Sequence, residues 1–416
     1  MMALTGDEQA MLAGRDGAGI ATAMRLVTDM GRLLGADRLV PVASAHIDGC
    51  LYHGDSGTLF AEHLVAQGAR VAVASTTNVG ALDLRRPGNV RLAEPNRDMA
   101  LRLMRAYEAL GCKPSWTCAP YQAGHRPAVG SDVAWGESNA VVFCNSVLGA
   151  RTNRYGDFLD IACAIAGRAP RYGLHVPDNR RAAVVVDTFG LSEALKRTEA
   201  FWPAIGAWLG RTVGEQIAVI DGLQGFATED RLKALGAASA STGAVALFHI
   251  AGVTPEAPDV SAIARPDAER LVLTPAMIRA ARGLLSTASG DQVDAVAIGS
   301  PHCSYPEVLE LADRMAGRHL ALPLYLNTGR HVLTRLEREG RLAPLTQAGV
   351  VPIVDTCVVV TPILPAGSDK VLMTNSGKFA FYAPGNTGYA VQFGSMADCV
   401  ESAVAGRLVR DEAVWQ

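Results

Sequence analysis

The sequence predicts an α/β protein with mainly parallel sheets, spread over more than one domain. Short β-branched runs recur along the chain, and helical segments stand between most of them, the pattern of βαβ units. Hydrophobic residues make up 49% of the chain and charged ones 19%, which describes a well-cored globular protein rather than a disordered one. The length, 416 residues, calls for two or three domains. There is no tandem repeat of fixed period and no low-complexity linker.

Taken in order, Thr5 and Glu8 are spaced as a capping box that opens a short helix. Residues 17–35 carry apolar positions at helical spacing. LVPVASAHIDG (39–49) reads as a strand running into His46, Asp48 and Gly49. Asp55 or Ser56 is expected to cap the helix TLFAEHLVAQG, and RVAVASTTNVG follows as a strand ending in Thr76, Thr77 and Asn78. A helix over 96–111 leads to the densest stretch, Thr117 to Gly156. There Cys118 stands in a turn beside Pro120, and Glu137 precedes AVVFC, read as a strand that opens into Asn145 and Ser146. Seven further runs read as strands: AAVVVD, QIAVIDGL, AVALFHIAG, AVAIGS, LALPLYLNT, VPIVDTCVV and KVLMTNS. RLKALGAASAS, PAMIRAARGLLSTA, PEVLELADRMAG and VLTRLEREGRL read as helices between them. The spans 168–181 and 254–266, rich in proline, are the candidate boundaries.

A net charge of −3 without a basic face leaves nucleic-acid binding no electrostatic footprint. The N-terminus lacks a basic-then-apolar signal, and no apolar run approaches the roughly 18 residues of a membrane span. A soluble, cytoplasmic protein is expected. None of the eight cysteines forms a CxxC pair, which argues against a zinc ribbon, and a disulfide framework does not suit such a chain.

The recurrent feature is that apolar runs end in polar residues, and in a parallel sheet those ends share one edge. They are expected to face one crevice. Cys118, Cys303 and Cys357 stand in such endings and could hold an iron-sulfur cluster; buried or free thiols are the alternative. Cys112, Cys163 and Cys399 read as core, with Cys144 and Cys50 in reserve. Asn375-Ser376-Gly377-Lys378 lacks the Walker A frame but suits a carboxylate or phosphate, unless it is a glycine-rich surface hairpin. Arg151 and Arg154 offer bidentate carboxylate binding or structural ion pairs. Glu137 could hold a proton at a raised pKa or be a strand-edge charge. His53 and His125 read as surface histidines.

The motifs SAHIDG, STTNVGALDL, TCAPY, WGESNAVVFCNSVLGARTNR, GVTPEAP, GSPHCS, NTGR, DTC and SDKVLMTNSGKFAFYAPG together resemble the large subunit of the aconitase X family, from about residue 5 to 410. The resemblance implies an aconitase-like chain of three α/β/α domains. They are expected at 1–170 (completed by the C-terminal segment), 171–290 and 291–416. A small swivelling-domain subunit would be a separate partner. The resemblance also implies an iron-sulfur cluster on Cys118, Cys303 and Cys357, with 2Fe-2S favoured and 3Fe-4S or 4Fe-4S as alternatives. Some members carry cysteine where this chain has Ser300, three residues before Cys303, and alanine is expected where Cys144 stands. The implied reaction is dehydration of cis-3-hydroxy-L-proline, with mevalonate 5-phosphate dehydration or an iron-responsive scaffold as the other readings. His46, Glu137 and Lys378 are then the expected catalytic residues. Thr76, Thr77, Asn78, Asn145, Ser146, Arg151, Asn375 and Ser376 would bind substrate, and the base could be a serine of the swivelling domain.

Overall fold

The computed structural model describes residues 2–367 and 369–415. The chain forms two compact units, one of residues 1–82 and 92–181, the other of 83–91 and 182–416.

The first unit contains β1 (Leu39–Pro41), β2 (Ser44–Ile47), β3 (Ala74–Thr77), β4 (Ala134–Trp135) and β5 (Arg168–Pro170). β2 lies between β3 and β4 and runs parallel to both. β1 pairs with β5 antiparallel. The run 39–49 is thus two strands, because Val42 N turns to Gly167 O and Ala43 N to Asp132 O. The Thr5–Glu8 capping box is present. The helix Asp55–Ala66 is capped by Gly54 without a side-chain bond, so neither Asp55 nor Ser56 serves as its cap.

AVVFC is not a strand. It lies in the helix Ser138–Phe143, which widens into a π-helical turn over Cys144–Leu148. Every residue from Asn139 to Phe143 is buried, and a segment buried on all sides shows neither the period of a strand nor that of a helix. The decisive signal is Glu137. It takes the N-cap at φ 68° and accepts from Ala140 N at 2.7 Å.

The second unit contains β6 (Ala182–Asp187), β7 (Ala218–Asp221), β8 (His249–Ile250), β9 (Ala264–Val272), β10 (Ala295–Cys303), β11 (Leu324–Thr328), β12 (Val350–Ile353), β13 (Val371–Thr374) and β14 (Ala390–Phe393). They form a four-stranded sheet, order β8-β7-β6-β9, and a five-stranded one, order β12-β11-β10-β13-β14. The pairings within both are parallel. The core of the larger sheet is aliphatic and includes Ile298, Leu326, Met373 and Cys399.

Phe201–Val213, a helix with no counterpart among those expected from the sequence, packs on Glu229–Gly243. A Cβ at Gly206 or Gly210 would run into backbone of that facing helix; glycine lets the two axes close up. The stretch 367–388 is not a surface hairpin. β13 ends in a turn, and Ser376 caps the helix Gly377–Thr387 by accepting from Phe379 N at 2.9 Å; Ser368 lies outside the described residues. Residues 83–91 join this unit through Asp83, which accepts from Arg85 N, Arg86 N, Asn89 Nδ2 and Val354 N. Among the described residues no helix is long and apolar enough to cross a membrane.

Candidate active site

Strand ends gather polar groups in each unit, at separate sheets rather than at a single sheet edge. In the first unit they belong to β2 and β3. His46 and Thr76 are paired across the ladder, and His46 Nδ1 lies 2.9 Å from Thr76 Oγ1. The same hydroxyl lies 2.7 Å from His125 Nδ1. His125 is therefore no surface histidine, although His53 is exposed. The loop after the Pro120–Ala123 turn carries His125 inward, and Trp135 packs against both rings at centroid distances of 5.6 and 5.1 Å. Burial, with His125 nearby, holds His46 well below the usual imidazole pKa. Burial and then Lys113 push His125 down to about 4. Both rings are neutral at pH 7.

Two residues further along, Asn78 Nδ2 donates to Asp48 Oδ1 at 2.5 Å, and Asn78 Oδ1 is buried with no partner. Asp160 lies beneath this pair. It accepts from Asp48 N and Gly49 N at 2.6 and 3.2 Å, and burial, then Asp48, pushes its carboxyl up to about 7. Thr77 faces the other way: its Oγ1 accepts from Trp116 N, and its backbone bonds Ser115.

Asn145 is committed to the scaffold. Its amide brackets Thr152 N and O, and Arg180 Nη1 donates to its Oδ1 at 3.0 Å. Ser146 is buried in the same π-helical turn. Arg151 is half-buried, with its Nε unpartnered, whereas Arg154 is exposed. Glu137, as a helix cap, spends its carboxylate on backbone N–H rather than at a strand edge.

In the second unit a cavity of about 760 Å³ opens where β10, β13 and β14 end. Ser300, Cys303, Asn375 and Ser376 line it with Glu199 and Lys233. Glu199 accepts from Asn375 Nδ2 at 2.8 Å and Met396 N at 2.7 Å, and burial pushes its carboxyl up to about 7. Ser376 Oγ donates to Ser300 O. Lys233 pairs with Asp230 at 3.0 Å and with Glu307. Lys378, half-buried, is the second residue of the helix capped by Ser376. That helix end directs N–H dipoles to where an anion would sit. Glu199, Asp160, His125 and Arg180 are the residues that sequence pattern alone passes over.

The thiols divide. Cys118 follows Thr117 in a loop held by Asn139 Nδ2 on Cys118 O at 3.0 Å. Cys357 lies just past β12 in the turn opened by Asp355 at φ 65°. Both are buried on irregular backbone, a place suited to thiolate donors. Cys303 is different: it belongs to the aliphatic core with Val296, Ile298 and Leu326, and burial pushes its thiol well above the usual range. Packed in that core at the wall of the cavity, it suits a ligand's role less well than Cys118 and Cys357 do, and in neither unit do the described residues bring three His, Cys, Asp or Glu together for a metal. Cys50, Cys112, Cys144, Cys163 and Cys399 are buried as well.

Comparison with known proteins extends over these same elements. Family models of the aconitase X first, second and third domains match residues 1–178, 182–283 and 293–405. The chain belongs to the aconitase X family. Within aconitase X, it is 42% identical to the cis-3-hydroxy-L-proline dehydratase of Pseudomonas aeruginosa, over 98% of this chain and 71% of that protein. It is 37% identical to the phosphomevalonate dehydratase large subunit of Methanothermobacter thermautotrophicus, over 92% and 94%. The holo-form of Thermococcus kodakaraensis aconitase X superposes with a TM-score of 0.86 at 33% identity, covering 97% of this chain and all of that one.

Proposed function

We propose that this aconitase X chain is the catalytic part of a hydro-lyase that eliminates water from cis-3-hydroxy-L-proline. The identity of 42% along nearly the whole chain with an enzyme of that name carries the reading. A second such dehydratase, from Hypocrea jecorina, is 38% identical over 97% of the chain. The reaction breaks the Cα–H and C3–O bonds, releases water and leaves an enamine that tautomerises to Δ1-pyrroline-2-carboxylate. Hydroxide is a poor leaving group, so it needs a proton or a Lewis acid, and the carboxylate needs a fixed donor set.

The residues divide these tasks by chemistry. His46, neutral and with Nε2 unpartnered, is suited to give a proton to the departing hydroxyl. Asn78, whose Oδ1 has no partner, stands beside it for the ring's polar edge. Asn375, Ser376 and Lys378 at a helix N-terminus are suited to a carboxylate, with Arg151 as the other cation. An iron-sulfur cluster is the Lewis acid that family membership suggests; Cys118 and Cys357 suit it better than Cys303, whose thiol packs in the core at the cavity wall. A swivelling-domain polypeptide of small-subunit type completes the enzyme in this reading, which the name "large subunit" among the relatives supports. The enzyme would work in the cytoplasm.

The test is turnover of two substrates by the chain supplied with a swivelling-domain protein. Water loss from cis-3-hydroxy-L-proline is expected. Turnover of mevalonate 5-phosphate alone would overturn the reading in favour of the large-subunit relatives.

A further inference from the structure

We propose that Thr76 joins His46 and His125 into a proton chain that carries one proton between the two outer ring nitrogens. This rests on the dehydratase reading only for what the chain delivers, not for its existence. The geometry is specific. One hydroxyl lies within hydrogen-bond distance of two imidazoles, at 2.9 Å from His46 Nδ1 and 2.7 Å from His125 Nδ1. A threonine hydroxyl has a single hydrogen to donate and lone pairs to accept with. With no other acceptor for Thr76 Oγ1 among the described residues, that hydrogen goes to one ring, and the other ring must present N–H to the oxygen. The two neutral imidazoles therefore hold opposite tautomers. One has its outer Nε2 protonated, and the other leaves Nε2 bare.

Both Nε2 atoms are buried without a partner, a costly arrangement for a purely structural cluster. The rings sit at different depths. His46 is fully buried at the end of β2, whereas His125 is on a loop between exposed Gly124 and exposed Arg126. Trp135 walls the chain on one side, and Lys113 near His125 disfavours a resting positive charge there.

The transfer balances. The bare Nε2 gains a proton, and the Nδ1–H of that ring passes to Thr76 Oγ. The hydroxyl's own hydrogen moves to the other Nδ1, and that ring releases its Nε2 proton. One proton enters, one leaves, and both rings end neutral with exchanged tautomers. In the dehydratase, His46 would give its Nε2 proton to the leaving hydroxyl while its Nδ1 takes one from His125 through Thr76. The reverse transfer, a proton entering at His46 Nε2 and leaving at His125 Nε2, resets the tautomers before the next turnover. Thr76 and His125 are then positioning residues acting through His46.

Nitrogen-15 spectra of histidine-labelled protein read the tautomers without substrate, with His46→Gln and His125→Gln assigning the signals. One Nδ1-protonated and one Nε2-protonated ring are expected. Identical tautomers, or a charged ring at pH 7, overturn the chain whatever the activity. In the reconstituted enzyme, Thr76→Val should lower kcat by about a hundredfold at unchanged KM, the scale of one lost proton transfer. Thr76→Ser, which keeps the hydroxyl, should restore most of it, and added imidazole should rescue His125→Ala. A Thr76→Val enzyme with wild-type kcat overturns the transport role. Opposite tautomers in a protein inactive on cis-3-hydroxy-L-proline would sink the dehydratase reading and the assigned delivery together, while leaving the chain itself in place.

Discussion

Asp160 shows how much a single buried carboxyl sets at the residue scale. Its folded pKa of about 7 lies above the ordinary 3.8, so the folded state holds the proton more tightly than the unfolded one. Its contribution to stability is complete below about pH 4 and is lost as pH rises through about 7, at roughly 1.4 kcal/mol for each pH unit crossed. Asp160→Asn removes that dependence. Urea midpoints of the variant should gain on those of the wild type between about pH 4 and 7, and a difference independent of pH would contradict the assignment. The cysteines give a second test. Cys118→Ser and Cys357→Ser should lower iron and sulfide content, whereas Cys163→Ser and Cys399→Ser should not. Cys303→Ser should destabilise even the iron-free protein by about 1–3 kcal/mol, because it puts a hydroxyl into aliphatic core. Loss of iron with unchanged apo-protein stability would return Cys303 to the ligand set. Sequence pattern could single out these cysteines because they stand next to turns. It could not single out Glu199 or Asp160, since what raises their pKa is burial, and the groups packed around them come from far along the chain, as Asn375 and Met396 do for Glu199.

Among the elements, the helix Ser138–Phe143 carries the instructive difference between pattern and fold. Val141, Val142 and Phe143 favour strand locally, yet a cap at Glu137 and burial on every side make the segment a helix. The parallel sheets were legible because amphipathic helices, Tyr305–Met315 and Arg330–Arg338, separate β10, β11 and β12. The helix Phe201–Val213 was not, because its contact face is written in glycine and alanine. Glu137 combines two opposed effects, a useful cap and a backbone at φ 68° that a side chain resists. Glu137→Ala should cost about 1 kcal/mol. Glu137→Gly loses the same bond but relaxes the backbone, and should be milder; chemical denaturation of both variants ranks them, and the reverse order would refute the strain. The helix Gly377–Thr387 makes the other element-scale prediction. Lys378→Ala should leave folding intact and lower kcat/KM about a hundredfold, the scale of one oriented transition-state donor. A change within about threefold would move the carboxylate contact to Arg151.

For the molecule as a whole, the proposed enzyme needs a swivelling domain, and the purified chain alone should show little dehydratase activity. Adding a swivelling-domain polypeptide of about 130–150 residues, a typical domain size, should restore it in proportion to complex formed, as followed by gel filtration beside the assay. Full activity of the lone chain would refute the need for a partner. The chain's two units carry one further consequence. Residues 83–91 belong to the second unit although their neighbours on both sides belong to the first, so the polypeptide passes between units at 82, again at 91 and finally at 181. No single cut can divide the protein into self-sufficient pieces. A fragment starting at Ala182 would leave Val354 N and Pro362 O without the partners that Asp83 and Arg91 supply. Anyone dissecting the gene would have to give that fragment the 83–91 peptide back, as a graft or in trans.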